Sequence, residues 1–570
     1  MKSIFGLLVF LLSAVPVVAG APLPEARIDE IFAPWSHTGS PGCALGVARG
    51  GRVVLERGYG MADLENGRAL TPASVFDVGS IAKQFTAFSV ALLAERGKLS
   101  LDDDVRRYIP ELPEYGRTIT LRHLMQHTSG LRDVNGLVNL AGWRPLDEVQ
   151  EEDALRLLTR QKGLNFEPGS DVLYCNSGFF LLGLVVRRVS GQTLAEFARD
   201  NVFTPLGMER TSFRSDLTSL VKNRATGYQQ KGEGSWQLGI ERSAIAGPGG
   251  LLSTVGDLLK WEHNFATREI GGGVLAEMVK PGLFSNSQEI DFEKTGDRYV
   301  LGLELGSYRG LSTVAHGGTT RGFQSYLMRF PKPEVSIAVL CNSPAIDPLG
   351  LALAVADVVL EPELSPVPAP EAPPPGHALS PEQLARLAGV YQDPVSRRVY
   401  RFRVEDGRLV LARMSGNLLL EPLSETRFRP AGFANAEIRF PEPAPGAVPE
   451  MHLRNPGQKS PEICRRISAD ASPYSLSAKE LQAYAGRYLS SEVDTFWTLS
   501  VHENGLALLG EKDLEPELFQ PVLPDLFRSP GGGYLEFRRD RAGQIAGLAV
   551  FADRIRNFPF ERDRGWHPSG

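Results

Sequence analysis

Two stretches of this chain are copies of one another. LSPEQLARLAGVY (Leu379–Tyr391) and LSAKELQAYAGRY (Leu476–Tyr488) agree at six of thirteen positions and stand 97 residues apart. Each leads into alternating apolar and polar runs, YRFRVEDGRLVL from Tyr400 and FWTLSVHENGLALL from Phe496. Alternation with a period of two marks half-buried strands, and the Asp406-Gly407 and Asn504-Gly505 pairs suit tight hairpin turns. Two copies are too few for a solenoid, whose repeats need several neighbours to bury a core. Residues 379–470 and 476–565 are therefore expected as two small all-β domains, each a short helix followed by a barrel of the lipocalin-like kind.

A proline-rich stretch, Glu361 to Ala378, separates these repeats from the rest, with seven prolines among the fourteen residues Pro362 to Pro375. Such a segment is a semi-rigid linker rather than core. Before it, residues 22–360 form one unit. Cys43–Glu56 reads as a hairpin, and Ser312–Ala315, Gln324–Phe330 and Val335–Cys341 as three further strands. Helical periodicity fills the middle, as in Ala82–Arg96, Ala154–Arg160 and Leu181–Val189. Strands at both ends enclosing helices predict an α/β (α+β) unit, with an antiparallel sheet built from both ends and an inserted helical layer. The first 19 residues read as a cleavable signal peptide, with Lys2, an apolar Ile4 to Leu12 and the small-residue end Val17-Val18-Ala19. A periplasmic or secreted protein follows, with no membrane partner after cleavage. The net charge of −6 lacks the basic footprint of a nucleic-acid binder. Four cysteines (Cys43, Cys175, Cys341, Cys464) are too few for a disulfide framework; none or one bridge is expected.

The chemistry concentrates in three places. Ser80 and Lys83 form an S-x-x-K at a helix start, which brings an ammonium beside a hydroxyl on one helix face. Tyr174-Cys175-Asn176 precedes the apolar SGFFLLGLVV, and His316-Gly317-Gly318 follows the strand STVA. A second S-x-x-K, Ser219/Lys222, has no helix-start context and is set aside. So is Lys294-Thr295-Gly296, in the charged DFEKTGDR, which is expected to have no strand on either side.

Taken with HTSGL (His127–Leu131), EPGSDVLYCNSGF, PLGM and GPGGLLSTVGDLLKW, this layout resembles the penicillin-recognising serine hydrolases over about residues 25–360. Within them it is similar to class C β-lactamases, D-alanyl-D-alanine carboxypeptidases, D-aminopeptidases and β-lactamase-like esterases. The resemblance implies that Ser80 is a nucleophile forming an acyl-enzyme, with Lys83 and Tyr174 sharing the proton work. Which of the two is the base is not readable from the sequence. It further implies that Asn176 orients substrate and Lys83, that the N–H groups of Ser80 and Thr319 form an oxyanion hole, and that His316 holds a carboxylate or polar group. Gly317 and Gly318 are expected to let substrate lie close along the strand. His316 where β-lactamases carry lysine points away from efficient β-lactam hydrolysis.

No cofactor or metal is expected. His123 and His127 lack the glutamate of H-E-x-x-H, Asp102-Asp103-Asp104 reads as a solvated turn, and Cys175 as a packing residue. One catalytic unit with two β repeats resembles the D-aminopeptidase arrangement. The implied substrates are small peptides or amides with D-residues, peptidoglycan-derived ones among them. Esters are the first alternative, and a non-catalytic binder of peptidoglycan or β-lactams is the second. The repeats are expected to fold alone, leaving an autonomous catalytic unit, and either to lend a loop to the cleft, with Glu511–Leu526 the candidate segment, or only to aid stability or bind a partner. The oligomeric state is not legible.

Overall fold

The computed structural model describes residues 23–566, apart from 367–378 and the loop positions 145, 215, 233, 293–294, 414–415, 434, 456–457, 459 and 513–514. The expected signal peptide and the centre of the proline-rich stretch lie outside the described residues. The main sheet has eight strands: β1 (Cys43–Arg49), β2 (Arg52–Tyr59), β3 (Asp291–Phe292), β4 (Asp297–Val300), β5 (Leu303–Tyr308), β6 (Leu311–Thr319), β7 (Gln324–Phe330) and β8 (Val335–Cys341). Their order is β3-β4-β5-β6-β7-β8-β1-β2, so the two ends of the unit meet where β1 pairs with β8. Cys43 faces Cys341 in that register and the two form a disulfide.

Alternation along the strands sends side chains to two cores. Leu45, Val47, Ile337 and Val339 pack under the terminal helices α1 (Glu25–Phe32) and α7 (Pro348–Val359). Ala44, Ala48, Ala338 and Leu340 join the larger core on the other face, which contains α2 (Ala82–Glu95), α3 (Val134–Leu140), α4 (Asn176–Ser190), α5 (Val255–Thr267) and α6 (Gly272–Glu277). Asn176 through Val186 of α4 are all buried, as expected of a helix apolar on every side.

Each repeat closes into an eight-stranded antiparallel barrel, from Gly389–Gln392 to Glu462–Ser468 and from Gly486–Ser490 to Ile555–Arg562. Ser380 and Ser477 cap the short leading helices, each in a capping box. The second barrel is continuous with the catalytic core, because Leu481, Trp497, Ile555 and Phe560 belong to the same buried cluster as Leu137 and Phe179. The first barrel has a core of its own around Phe402, Phe428 and Phe440.

Two expectations need correction. Lys294-Thr295-Gly296 does have strands on both sides: β3 and β4 pair, with Asp291 opposite Arg298, and Thr295-Gly296 make the turn, while Lys294 lies outside the described residues. The charged sequence hid this hairpin because β3 is only two residues long, too short to show a period. The start of the proline-rich stretch is not linker either. Leu364 is buried in the core under α7, and the Ser365 N–H donates to Arg309 O at 2.8 Å.

Candidate active site

Ser80 sits in a single 3-10 turn, Gly79–Ile81, that runs straight into α2. Gly79 has φ of +52°, which positions the turn, and its N–H donates to Asp77 Oδ1 at 3.1 Å. Asp77 is buried beside Arg214, 3.9 Å away. Nothing in the local sequence singled out either residue.

One turn along, Lys83 is fully buried. Its Nζ lies 3.0 Å from Ser80 Oγ, 2.9 Å from Asn176 Oδ1 and 2.7 Å from Pro248 O. Burial drives its pKa well below that of an ordinary lysine, and the Asp133 carboxylate pulls the other way. Asp133 also accepts from Asn176 N–H at 2.6 Å and caps the start of α3 through Asn135 and Gly136. It therefore fixes two elements of the site at once.

Tyr174 lies just before α4. The Lys83 ammonium is 4.7 Å from the centre of its ring. Burial raises the phenol pKa, and the hydrogen bond with Ser80 lowers it. Behind it, the His127 ring packs at 4.3 Å from the Tyr174 ring, tilted by 39°, and its Nδ1 accepts from Cys175 N–H at 3.1 Å. Cys175 itself is buried, a packing position as expected.

The third element belongs to β6, which continues through His316-Gly317-Gly318 to Thr319 instead of ending before them. A Cβ built on Gly318 would stand 2.0 Å from Val78 O and 3.0 Å from Ser80 N, and one on Gly79 would stand 2.7 Å from Thr319 N. The glycine at 318 is thus required by the chain's own serine turn. A Cβ at Gly317 meets nothing closer than 3.4 Å. This contact packs the backbone of the Ser80 turn directly against that of Gly318 and Thr319.

His316 lies deep in the site. It is buried, its Nδ1 donates to Gly317 O at 2.5 Å, and its Nε2 accepts from Tyr299 OH at 3.1 Å. Burial, and then the nearby Lys83, push its pKa down to about 3. A neutral ring with both nitrogens engaged supplies no positive charge for a carboxylate.

Ser80, Tyr174, Asn176, His316 and Thr319 line one cleft of about 680 Å³, together with Glu304, Trp143 and Arg554. Arg554 comes from the second barrel, in the turn between strands Ile545–Ala552 and Ile555–Arg562, and stands 4.6 Å from the centre of the Tyr174 ring. The barrel thus does reach the site by this turn, whereas no described residue of Glu511–Leu526 lines the cleft, and half of that segment lies in two strands, Glu517–Leu523 and Leu526–Arg528. Ser219 and Lys222 lie in an exposed, turn-rich stretch away from this cleft.

Comparison with known proteins agrees with this geometry. Two D-aminopeptidases cover nearly the whole chain. That of Gluconobacter oxydans is 27% identical over 92% of this chain and 96% of its own. That of Brucella melitensis is 26% identical over 95% and 99%. Among solved structures, the octameric penicillin-binding protein homologue from Pyrococcus abyssi superposes with a TM-score of 0.54 at 22% identity, covering 86% of this chain and 98% of its own. A D-amino acid amidase from Ochrobactrum anthropi, solved with L-phenylalanine, gives 0.50 at 23% identity over 59% of this chain and 98% of its own. Residues 28–359, more than half of the chain and all three elements of the site, match the beta-lactamase family, and the chain belongs to it as a penicillin-recognising serine hydrolase.

Proposed function

We propose that this chain is an exported hydrolase that releases D-configured residues from small peptides or amides through an acyl-Ser80 intermediate. The observation that carries the reading is the set of three oxygens around Lys83 Nζ. Asn176 Oδ1 and Pro248 O only accept, so they take two N–H bonds. A neutral amine has two, and its lone pair is left facing the Ser80 hydroxyl. Burial favours that neutral form. Lys83 is then the base that removes the Ser80 proton as Oγ attacks the carbonyl carbon. Tyr174, its pKa raised, stays protonated and relays a proton to the departing amine. The N–H groups of Ser80 and Thr319 take the oxyanion, and water releases the acid by the reverse path.

The D-aminopeptidase relatives, which span both barrels, support the substrate class. A neutral His316 supports amides over substrates that must present a carboxylate at that strand. The leader-like start and the Cys43–Cys341 disulfide, a bond that persists in oxidising compartments, support export.

The test is hydrolysis of D- and L-alanine p-nitroanilides and the matching p-nitrophenyl esters by wild type and Ser80→Ala. The D-anilide should turn over, and Ser80→Ala should lose about 10³-fold or more. Turnover of esters alone would make the enzyme an esterase, and retention of activity in Ser80→Ala would remove the nucleophile.

A further inference from the structure

Tyr174 stands outside any helix or strand, just before α4 begins. The first N–H groups of a helix find no acceptor inside it, and the N-cap residue, Cys175, makes no side-chain cap. Acceptors must therefore come from other parts of the chain. Asp133 takes the Asn176 N–H. His127 takes the N–H on each side of Tyr174: Leu173 N–H donates to its carbonyl oxygen at 3.0 Å, and Cys175 N–H to its Nδ1 at 3.1 Å. Between these two bonds the imidazole lies against the Tyr174 ring, 4.3 Å from centre to centre.

His127 is held in an unusual state to do this. Its φ is +59°, in the left-handed region that Asn, Asp and His enter more readily than other non-glycine residues. It is fully buried, and burial, followed by the nearby Lys83, keeps its pKa well below that of an ordinary histidine. The ring is thus neutral, and with Nδ1 accepting, its proton is on Nε2. Nε2 has no hydrogen-bond partner among the described residues. The imidazole lies among other rings, with the centres of Tyr299 and Phe179 at 4.4 and 5.3 Å from its own. A buried polar atom left in this way calls for a reason, and the reason is what the rest of the ring does. Asparagine would offer an acceptor without a flat face, and phenylalanine a flat face without an acceptor. A neutral histidine offers both.

We propose that His127 is a positioning residue that fixes Tyr174 for its proton transfers at Ser80. It does not line the Ser80 cleft, so it reaches the reaction only through the residues it packs against. One of these is Tyr174; another, Tyr299, donates to His316 on the substrate strand. The two routes are separable, because looseness at Tyr174 lowers kcat whereas looseness at His316 raises KM. The inference rests on the proposed role of Tyr174 as proton donor to the departing amine. That role has its own signature: p-nitroaniline must be protonated as it leaves, and p-nitrophenolate leaves without a proton.

The experiment is a double-mutant cycle in the full-length protein, read by initial rates on D-alanine p-nitroanilide and the matching p-nitrophenyl ester, with a thermal melt of each variant. His127→Phe keeps the flat face and removes the acceptor. It should lower kcat on the anilide about tenfold or more, leave KM within about twofold, and lower the ester rate far less. His127→Asn restores the acceptor and suits the left-handed backbone, so it should recover most of the loss, with an anilide rate that still falls about threefold more than the ester rate. In a Tyr174→Phe background, His127→Phe should cost no more than about twofold further. If Tyr174→Phe hydrolysed the anilide at the wild-type rate, the role of Tyr174 would fall and the inference with it. With Tyr174→Phe impaired, a full further loss from His127→Phe, a rise in KM in place of the fall in kcat, or equal losses on anilide and ester would overturn the inference alone. Should His127→Phe not fold, the comparison of anilide with ester passes to His127→Asn, and equal losses there overturn it as well.

Discussion

The two barrels descend from one repeated sequence, yet they relate to the catalytic unit in different ways. The second barrel is bound by a fully buried ion pair, Arg132 Nη1 to Glu492 Oε2 at 2.7 Å with both side chains 4% exposed. Glu492 also accepts from Lys162 N–H, and Arg556 and Asn165 meet across 391 residues of chain. Gly136 on α3 packs so closely on Ile555 that a Cβ there would stand 2.7 Å from it. The first barrel meets the catalytic sheet where Ser460 Oγ donates to Asp291 Oδ2 at 2.9 Å. It leans instead on its twin, through Val399 N–H to Tyr534 OH and Arg401 to Val522 O. Equal folds thus took unequal work: one barrel is part of the enzyme's core, and the other is attached to that barrel.

The comparison breaks most visibly if the second barrel is removed. A chain ending near residue 475 would uncover Arg132, Leu137 and the wall of α3, so it should aggregate or melt well below the full chain. The sequence-based expectation of an autonomous catalytic unit predicts the opposite outcome. A gentler form of the same test is Glu492→Ala, which leaves a buried guanidinium unpaired at a cost of about 3–5 kcal/mol. Replacing both partners, as Arg132→Met with Glu492→Leu, should recover much of the loss. By contrast Phe402→Ala, in the core of the first barrel, should loosen that barrel while the rate of D-amide hydrolysis at 25 °C stays within about twofold. Thermal melts and initial rates on the three variants decide it; equal sensitivity in both barrels would erase the asymmetry.

A smaller effect is expected at the cleft. Arg554 adds positive charge near Lys83 and so helps hold the lysine in its neutral form. Arg554→Ala removes that charge, so the Lys83 pKa should rise. The proton must leave Lys83 before it can act as base, and the acid limb of kcat/KM should therefore move to higher pH. With the guanidinium gone from above Tyr174, bulky D-amides should also gain relative to small ones. A pH profile that does not move would mean that the turn only shapes the entrance.

What the sequence disclosed follows the length scale of each pattern. The nucleophile, its lysine, Tyr174, Asn176 and the His316 strand each lie in short runs whose residue types and spacing are dictated by chemistry within one turn or one strand. The barrels were legible because strand alternation and capping serines are local. Asp133 and Pro248 were not, because a carboxylate at a helix cap and a backbone carbonyl look like any other until α3 and α4 are brought together. His316 was legible as a site residue but not as a neutral one, since its state is set by Tyr299 and by burial. Arg554 could be found only by knowing which of two similar barrels turns inward.

The last test concerns the segment that sequence reasoning favoured for the cleft. It approaches the catalytic unit at Lys512, whose Nζ stands 5.0 Å from the centre of the Trp143 ring, beside Gly142. Trp143 lines the Ser80 cleft, but Lys512 does not. A partly exposed cation over an aromatic ring contributes about 0.5–1 kcal/mol, and its loss leaves the ring in place. Lys512→Ala should therefore lower stability by no more than about that amount and change kcat/KM less than twofold. Arg554 is also a cation over a ring, at 4.6 Å, but its ring belongs to Tyr174 and its charge is felt at Lys83. The two substitutions remove the same charge from the same barrel a few ångströms from the same cleft. If Lys512→Ala shifted the pH profile as far as Arg554→Ala, the field would be a property of the barrel's face as a whole, and the turn at Arg554 would lose its special place.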